Sequence, residues 1–214
     1  RPQEIGLEPF GHVDGLGNAS NQSAKRDLKV GPFLLHLGII YAFFAATLLT
    51  YTTFIVTAMV DELSITTADA GLLWAGVGGF SIFSGPLFGA VSDRFGHKTG
   101  MASALSSQGI AFALMAFDTG ALGLFVSIVF FGISAWSMPS IVAAAAGDYL
   151  GPEKAASGFA FLTLMFAAGQ VLGPAGAGVL ADLSGGFGLA FGVAAGLNLV
   201  GVILCPMLPS VKKN

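Results

Sequence analysis

The sequence predicts an all-α membrane protein in which six helices cross the bilayer. Three observations support this fold class: an apolar composition, six long stretches without charge, and a one-sided distribution of basic residues. Hydrophobic residues make up 54% of the 214 positions and charged residues only 10%, whereas soluble domains carry charge at roughly a quarter of their positions. With a mean hydropathy of +0.80, this composition excludes a water-soluble fold.

Six stretches without Asp, Glu, Lys or Arg approach or exceed the roughly 20 apolar residues that a transmembrane helix needs. They are Leu34 to Val60, Ala70 to Val91, Met101 to Phe117, Gly120 to Gly147, Ala155 to Leu180 and Phe187 to Met207. The third is short, and the fourth is long enough to tilt or to bend. We therefore divide the chain into a flexible polar segment (1–33), a six-helix bundle (34–209) and a short tail (210–214).

The basic residues fix the orientation, because Lys and Arg in short loops are retained on the cytoplasmic side. All 9 occur before the first span, after the second, after the fourth or after the sixth. The intervening connections carry only acidic charges: Asp61, Glu62, Asp69, Asp118 and Asp182. Both termini are therefore predicted to be cytoplasmic. Since the basic residues form no long cluster, the sequence also predicts no nucleic-acid partner.

A weak internal repeat predicts two three-helix units within the bundle. Residues 89–96 (GAVSDRFG) align with residues 178–185 (GVLADLSG), and a Gly-Pro pair precedes each copy. Each copy closes the second helix of a three-helix set, and an odd number of crossings places the copies on opposite sides of the membrane. This is the pattern of a 3+3 inverted repeat. Chance similarity between two glycine-rich segments is the alternative.

Prolines and glycines inside the spans predict bends and close helix contacts. Pro86, Pro139 and Pro174 each remove a backbone hydrogen bond and favour a helix bend. Glycines recur one turn apart, as at Gly169 and Gly173, and small residues at this spacing let helix backbones approach closely in lipid. We interpret such pairs as packing contacts, with a role in gating as the alternative.

The connection between the second and third spans carries the strongest functional signal. Residues 89–98 read GAVSDRFGHK and resemble the signature loop of the major facilitator superfamily, G-x-L-a-D-r-x-G-r-k. Val91 replaces the Leu of that pattern, and His97 replaces an Arg. Because the position of the loop agrees as well as its letters, the resemblance implies one half of a major facilitator fold in a bacterial inner membrane.

We assign a gating role to this loop together with two acidic residues of the next cytoplasmic connection. Asp93 lies at a helix end, where a carboxylate can cap exposed N–H groups of a neighbouring helix. Arg94 is predicted to pair with a carboxylate of the next cytoplasmic connection. The full set is Gly89, Asp93, Arg94, Gly96, His97, Lys98, Asp148 and Glu153. A solvated loop whose charges only enforce topology is the alternative.

Three further segments resemble the C-terminal half of such transporters. Residues 1–11 (RPQEIGLEPFG) look like the central cytoplasmic loop of monocarboxylate-porter and oxalate/formate-type members. Residues 148–152 (DYLGP) and 169–174 (GQVLGP) are similar to the tenth and eleventh helix region of bacterial members. The resemblance implies a missing N-terminal six-helix half, and a first residue other than Met agrees with truncation. Since residues 169–174 also resemble the fifth-helix antiporter motif, an N-terminal half is the alternative.

The resemblance also selects candidate contacts for a small-molecule substrate. In this superfamily the first, second, fourth and fifth helices of the C-terminal bundle line a central cavity. Gln170 is the first choice, because an amide inside the membrane is costly without a partner. The other candidates are Thr50, Tyr51, Trp136, Ser140 and Phe166. Hydrogen bonding within or between helices is the alternative role for the polar members.

The function implied is secondary active transport of a small solute, by symport or antiport, and the monocarboxylate-porter likeness suggests an organic anion. Because the spans contain no Asp, Glu, Lys or Arg, a coupling carboxylate or substrate-binding cation is expected in the missing half. The spans also lack paired acid–base or metal-ligating residues, so we predict no enzyme activity, no metal and no cofactor. A non-transporting sensor or scaffold on the same fold and a homodimeric six-helix transporter are the alternatives.

Overall fold

The computed structural model describes residues 20–117 and 119–209, except for the side chains of residues 20–30 and 152. Within those ranges the protein is all-helical and contains no strand, which confirms the predicted class. The helices are α1 (Ser20–Asp61), α2 (Thr67–Ser81), α3 (Ser84–Phe95), α4 (His97–Ala116), α5 (Gly120–Ser134), α6 (Ser137–Leu150), α7 (Pro152–Ser184) and α8 (Gly188–Leu204). A 3-10 turn at Cys205–Met207 follows α8.

Five segments of the described chain are long and apolar enough to cross a membrane. They are Gly31–Asp61, Thr67–Phe95, Gly120–Leu150, Glu153–Ser184 and Gly188–Met207. The second consists of α2 and α3 in succession, and the third consists of α5 and α6. The remaining predicted span corresponds to α4, which is less apolar because its middle carries Ser103, Ser106, Ser107 and Gln108.

The first helix begins earlier than the sequence predicts. α1 starts at Ser20 and continues through Pro32, so residues 20–33 are helical, and the division of the chain at residue 33 stays a prediction. Its apolar part begins at Gly31, close to the predicted start of the span at Leu34. The rest of the predicted N-terminal segment and most of the predicted C-terminal tail (1–19 and 210–214) lie outside the described residues.

The most extensive helix contact, between α1 and α7, depends on two glycines. A Cβ atom added to Gly169 would lie 2.2 Å from the carbonyl oxygen of Ala42. One added to Gly173 would lie 2.2 Å from the carbonyl oxygen of Ala46. Any side chain at either position would therefore separate the two backbones. The packing interpretation of this pair is confirmed, and it follows the general rule for small residues between membrane helices.

An aromatic cluster from four helices forms the centre of the core. Tyr51 of α1 stacks on Phe131 of α5, with ring centroids 3.8 Å apart. The edge of Phe112 from α4 meets the Tyr51 ring at 5.4 Å, and Phe191 from α8 lies at 6.3 Å. All four side chains are almost inaccessible. Since such ring pairs add about 0.5–1.5 kcal/mol each beyond area burial, this cluster fixes the relative positions of α1, α4, α5 and α8.

Successive connections between the membrane segments lie at alternating ends of the bundle. At one end, Lys98 at the start of α4 donates to the carbonyl of Pro206 after α8, over 3.2 Å. At the other end, the backbone N–H of Phe187 before α8 donates to the carboxylate of Glu62 after α1. The basic residues of the described connections belong to the first end, and we call it the basic end.

Candidate functional site

The signature-loop segment forms a tight turn between α3 and α4. Gly96 is the single residue between the two helices, and its φ of 91° lies in the left-handed region that favours glycine. A Cβ added to Gly100 would lie 2.6 Å from the Cβ of Ser92, so α3 and α4 are in close contact beside the turn. By contrast, a Cβ on Gly89 would meet nothing within 4 Å. Gly96 and Gly100 thus shape the turn, while Gly89 lies on an open face of α3.

His97 uses both ring nitrogens and connects the loop to α6. Its Nδ1 lies 2.8 Å from Oγ of Ser92, and its Nε2 lies 3.0 Å from Oδ2 of Asp148. The side chain of His97 is 15% exposed and that of Asp148 is 63% exposed, so water and salt screen the pair. In the imidazolium form both ring nitrogens donate, and the bond to the carboxylate becomes charge-assisted.

The predicted pairing of Arg94 with Asp148 or Glu153 is not found among the described residues. Asp148 pairs with His97 instead. Arg94 is exposed, and its guanidinium carbon lies 5.4 Å from the centroid of the Phe95 ring. The physical reason is that His97, as the first residue of α4, reaches the end of α6, while Arg94 extends to the outside of α3. Glu153 lies in the first turn of α7, where a carboxylate favours the positive end of the helix dipole.

The remaining loop charges divide between solvent and bundle. Asp93 is exposed and makes no hydrogen bond or ion pair within the described part of the chain, so its role as a helix cap stays a prediction. Lys98 is half-buried and donates to the carbonyl of Pro206. The loop therefore presents Asp93 and Arg94 outward and uses His97 and Lys98 to bind the bundle.

Two membrane segments are interrupted near their middles by proline. α2 ends and α3 begins across residues 82–83, and α5 ends and α6 begins across residues 135–136. Pro86 and Pro139 have no N–H to donate to the carbonyl four residues earlier. In both cases the carbonyl that loses this hydrogen bond belongs to a residue of the interruption. α7 differs, because it continues without interruption past Pro174. A bend of α7 at that residue stays a prediction.

The two interruptions are in direct contact. The backbone N–H of Trp136, just before α6, donates to the hydroxyl oxygen of Ser84, the first residue of α3, over 3.0 Å. A Cβ on Gly132 would lie 2.7 Å from the Cβ of Phe80, so α2 and α5 approach closely on one side of the breaks. The hydrogen bond satisfies a backbone donor that the broken helix leaves free.

Four of the six candidate substrate contacts are accessible. Trp136 is 57% exposed beside the helix breaks, and Ser140 is exposed one turn further along α6, with its hydroxyl donated to the carbonyl of Ser137. Gln170 is half-buried and has no hydrogen-bond partner within the described chain. Phe166, one turn before it, is also half-buried. The amide of Gln170 is therefore available to a solute.

The other two candidates are occupied by the bundle itself. The hydroxyl of Thr50 donates to the carbonyl of Ala46 over 2.8 Å, and the hydroxyl of Tyr51 lies 2.8 Å from that of Ser127. Tyr51 is 0% exposed and Thr50 is 3% exposed. In this conformation neither contacts a solute, and the structure places both among the packing residues.

Sequence reasoning missed two amides that the structure buries completely. Gln108 of α4 and Asn198 of α8 are both 0% exposed. Oε1 of Gln108 accepts a hydrogen bond from Thr47 over 3.2 Å, and Nδ2 of Asn198 donates to the carbonyl of Ala194. Nε2 of Gln108 and Oδ1 of Asn198 lack partners among the described residues. Together with Gln170, they are the amide side chains of the predicted spans. The candidate substrate contacts were taken from four helices only, and α4 and α8 were not among them.

Few titratable groups lie in the membrane segments. Nε2 of His36 lies 3.0 Å from the carbonyl oxygen of Leu204 and so connects α1 with the end of α8. Cys205 is a buried free thiol. Among the described residues, no group of three or more His, Cys, Asp or Glu is placed to hold a metal ion.

Comparison with known proteins gives one family and two named relatives. A family model described as "Uncharacterised MFS-type transporter YbfB" matches residues 16–206. The chain is 29% identical over 125 residues to the tetracycline resistance protein, class H, of Pasteurella multocida, in an alignment covering 58% of the chain and 31% of that protein. It is 28% identical over 158 residues to the putative tartrate transporter of Agrobacterium vitis, with 70% and 34% covered.

The aligned part of the chain therefore spans about a third of the length of these curated relatives. The family and both relatives are transporters rather than enzymes. The helices described above agree with a multi-pass membrane protein. Because the family model covers most of the chain, the predicted membership of the major facilitator superfamily is confirmed, and the chain belongs to its MFS-type transporters.

Proposed function

We propose that this chain is the C-terminal six-helix half of a secondary active transporter that moves a small organic anion by alternating access. The observation that carries the proposal is the pair of contacting helix breaks, joined by the hydrogen bond from Trp136 to Ser84. Irregular backbone at membrane depth is tolerated only where it is buried in protein or lines a cavity. Transporters use such discontinuous helices to bind solutes and coupling ions.

The proposed sixth crossing is α4. Its 20 residues give a length of about 30 Å, which equals the thickness of the hydrocarbon core. The helix buries Met101, Leu105 and Phe112 in the bundle, and these residues lie along its whole length. Of its polar residues, Ser107 and Gln108 are buried by neighbouring helices, while the exposed Ser106 donates its hydroxyl to the carbonyl of Ala102 in its own helix.

The proposed inverted repeat gains support from the ends of its two copies. The first copy ends at Gly96 and the second at Gly185, and both glycines have a positive φ, of 91° and 74°. Gly96 lies at the basic end. Gly185 lies at the opposite end, where a Cβ on its neighbour Gly186 would be 2.8 Å from Oε1 of Glu62. Two similar turns at opposite ends agree with units of inverted topology.

A partner bundle is proposed because one helix face of small residues is unpacked. A Cβ on Gly85 or Gly89 of α3 would meet nothing within 4 Å. Faces of this kind usually contact another membrane helix. The 125 and 158 aligned residues make up 31% and 34% of the named relatives, so those proteins are about twice as long as the chain. This length supports a second six-helix half as the occupant. We place both termini of the described segment on the cytoplasmic side, following the basic residues.

The choice of an organic anion rests on helix polarity and on one relative. α3 and α6 both begin at the breaks, so their N-terminal ends, which carry partial positive charge, lie near the middle of the membrane segments. One of the two relatives is named as a putative tartrate transporter. The half offers no Lys or Arg within its spans, so the second half would supply a full positive charge.

Transport assays with the full-length protein in proteoliposomes test this function. We expect uptake of labelled tartrate or a related dicarboxylate, reduced at least tenfold by Gln170→Ala or Trp136→Ala, because each removes an accessible contact beside the proposed pathway. Val171→Ala is the matched control, since Val171 adjoins Gln170 but is 70% exposed and apolar. Absence of flux for every solute tested, with the protein correctly folded, would contradict transport and favour a sensor or scaffold.

A second measurement tests the assignment as a half. The six-helix segment purified alone should bind no solute and catalyse no flux, because the other wall of the pathway is missing. Coexpression with the upstream six helices should restore flux. Uptake by the isolated segment as a homodimer would overturn the half-transporter assignment while leaving transport itself intact.

A further inference from the structure

An apolar groove runs along α7 within the membrane-spanning part of the bundle. Its volume is 340 Å³. α1 forms its floor between Ala42 and Thr50, while α7 between Met165 and Leu180 and α8 between Ala190 and Leu197 form its walls. No charged residue lines it. The groove is separate from the helix breaks, which involve α2, α3, α5 and α6.

The described residues of the groove offer no free hydrogen-bond donor to a ligand. Its two hydroxyl groups belong to Thr47 and Thr50. The Thr50 hydroxyl donates to the carbonyl of Ala46 over 2.8 Å, and the Thr47 hydroxyl lies 3.0 Å from the carbonyl of Phe43 in its own helix. Because burying a polar group without a partner costs about 1–3 kcal/mol, a polar ligand is disfavoured here. The lining therefore favours a hydrocarbon occupant.

Most of the groove lies in one lipid leaflet. The α7 wall between Met165 and Leu180 corresponds to about 22 Å of helix, which exceeds the roughly 15 Å of half the hydrocarbon core, so one end of the groove reaches past the middle of the membrane. On α8 the lining residues 190–197 belong to the first half of the helix. The groove therefore lies mainly in the half of the bundle away from the basic end, where a single leaflet surrounds it.

The groove is open at the side, and no described residue fills it. Leu172 of α7 is 69% exposed and Val193 of α8 is 44% exposed, and both line it. A Cβ on Gly176, also in the lining, would meet nothing within 4 Å. An empty groove would forfeit dispersion contacts along its walls. In a bilayer, phospholipid acyl chains are available at this depth.

We propose that this groove binds one acyl chain of a membrane phospholipid, drawn from the leaflet away from the basic end. The bound chain would complete the packing between α7 and α8. Gly169 and Gly173 keep α7 against α1, and Gly176 leaves room for the lipid between α7 and α8. Lipid binding at this position does not depend on which solute the protein carries.

The test counts phospholipids retained by the full-length protein. The protein is reconstituted into vesicles of phosphatidylethanolamine and phosphatidylglycerol, extracted into mild detergent, and analysed by native mass spectrometry. The unmodified protein should retain one phospholipid. Gly176→Leu should lower the occupancy at least tenfold, because the new side chain fills the groove without meeting any atom at its Cβ. Val193→Trp, on the opposite wall, should have the same effect by covering the mouth.

The matched control is Gly78→Leu. Gly78 lies on α2, is exposed, and would likewise meet nothing within 4 Å of an added Cβ, but it does not line the groove. This variant should retain the phospholipid. The proposal is overturned if the unmodified protein retains none, as it would if the second half filled the groove, or if the two groove variants retain as much as Gly78→Leu. Neither outcome bears on solute transport.

Discussion

Gly173→Ala tests the packing of α7 on α1 with a single added methyl group. The new Cβ would lie 2.2 Å from the carbonyl oxygen of Ala46, whereas ordinary contact begins at 3.4 Å. The backbone of α7 must therefore retreat by about 1 Å, since neither atom is at the end of a flexible side chain. Overpacking of this kind costs typically 1–3 kcal/mol. For a cost of about 2 kcal/mol, Tm should fall by about 4–8 °C in a protein of this size.

The assay is thermal unfolding in detergent micelles, followed by circular dichroism, with Gly176→Ala as the control. Gly176 lies on the same helix, and its added Cβ would meet nothing within 4 Å. Because Ala is better than Gly in a helix by about 1 kcal/mol, this variant should keep or raise the Tm. If Gly173→Ala and Gly176→Ala melt at the same temperature, the close approach of α1 and α7 is not as described.

Substitutions at three further positions address the loop and the core. His97→Ala should reduce uptake into proteoliposomes severalfold, whereas His97→Gln, which can still donate to Asp148, should retain most of it. If both variants lose the same uptake, the hydrogen bond from His97 to Asp148 has no role in transport. Ser127→Ala should lower stability by about 1–3 kcal/mol, because it leaves the hydroxyl of buried Tyr51 unpaired, and unchanged thermal unfolding would oppose this. Asn198→Leu should be neutral or stabilising by the same measurement, because it removes an unpartnered buried oxygen; a large loss of Tm would show that Asn198 has a partner.

Local composition and spacing predicted the features that depend on neighbouring residues in the chain. The spans follow from charge-free stretches, which is why Gly31–Asp61 and Gly188–Met207 agree closely with expectation. The turn at Gly96 lies within the predicted connection between the second and third spans. The contact made by Gly169 and Gly173 follows from their four-residue spacing. Each of these depends on one segment and the solvent around it.

Features that depend on two distant segments were predicted less well. Asp148 is a partner of His97 rather than Arg94, and the choice depends on which side of the turn meets the end of α6. Gly85-Pro86 and Gly173-Pro174 are alike in sequence, yet α3 begins beside the first pair while α7 passes through the second. α7 can remain continuous because its glycines hold it against α1. The environment, not the dipeptide, therefore decides whether the helix is interrupted.

The basic end of the bundle is bound together from three different helices. His36 of α1, Lys98 of α4 and Tyr149 of α6 each contact a backbone carbonyl in residues 204–209, the end of α8 and the segment beyond it. Sliding any of these helices would break a hydrogen bond at this end. We therefore expect the half to move as one body, so that a change of access comes from motion against the second half. Spin labels on α1 and α4 at this end should keep a constant separation when solute is added, and a shift of several ångströms would contradict rigid-body motion.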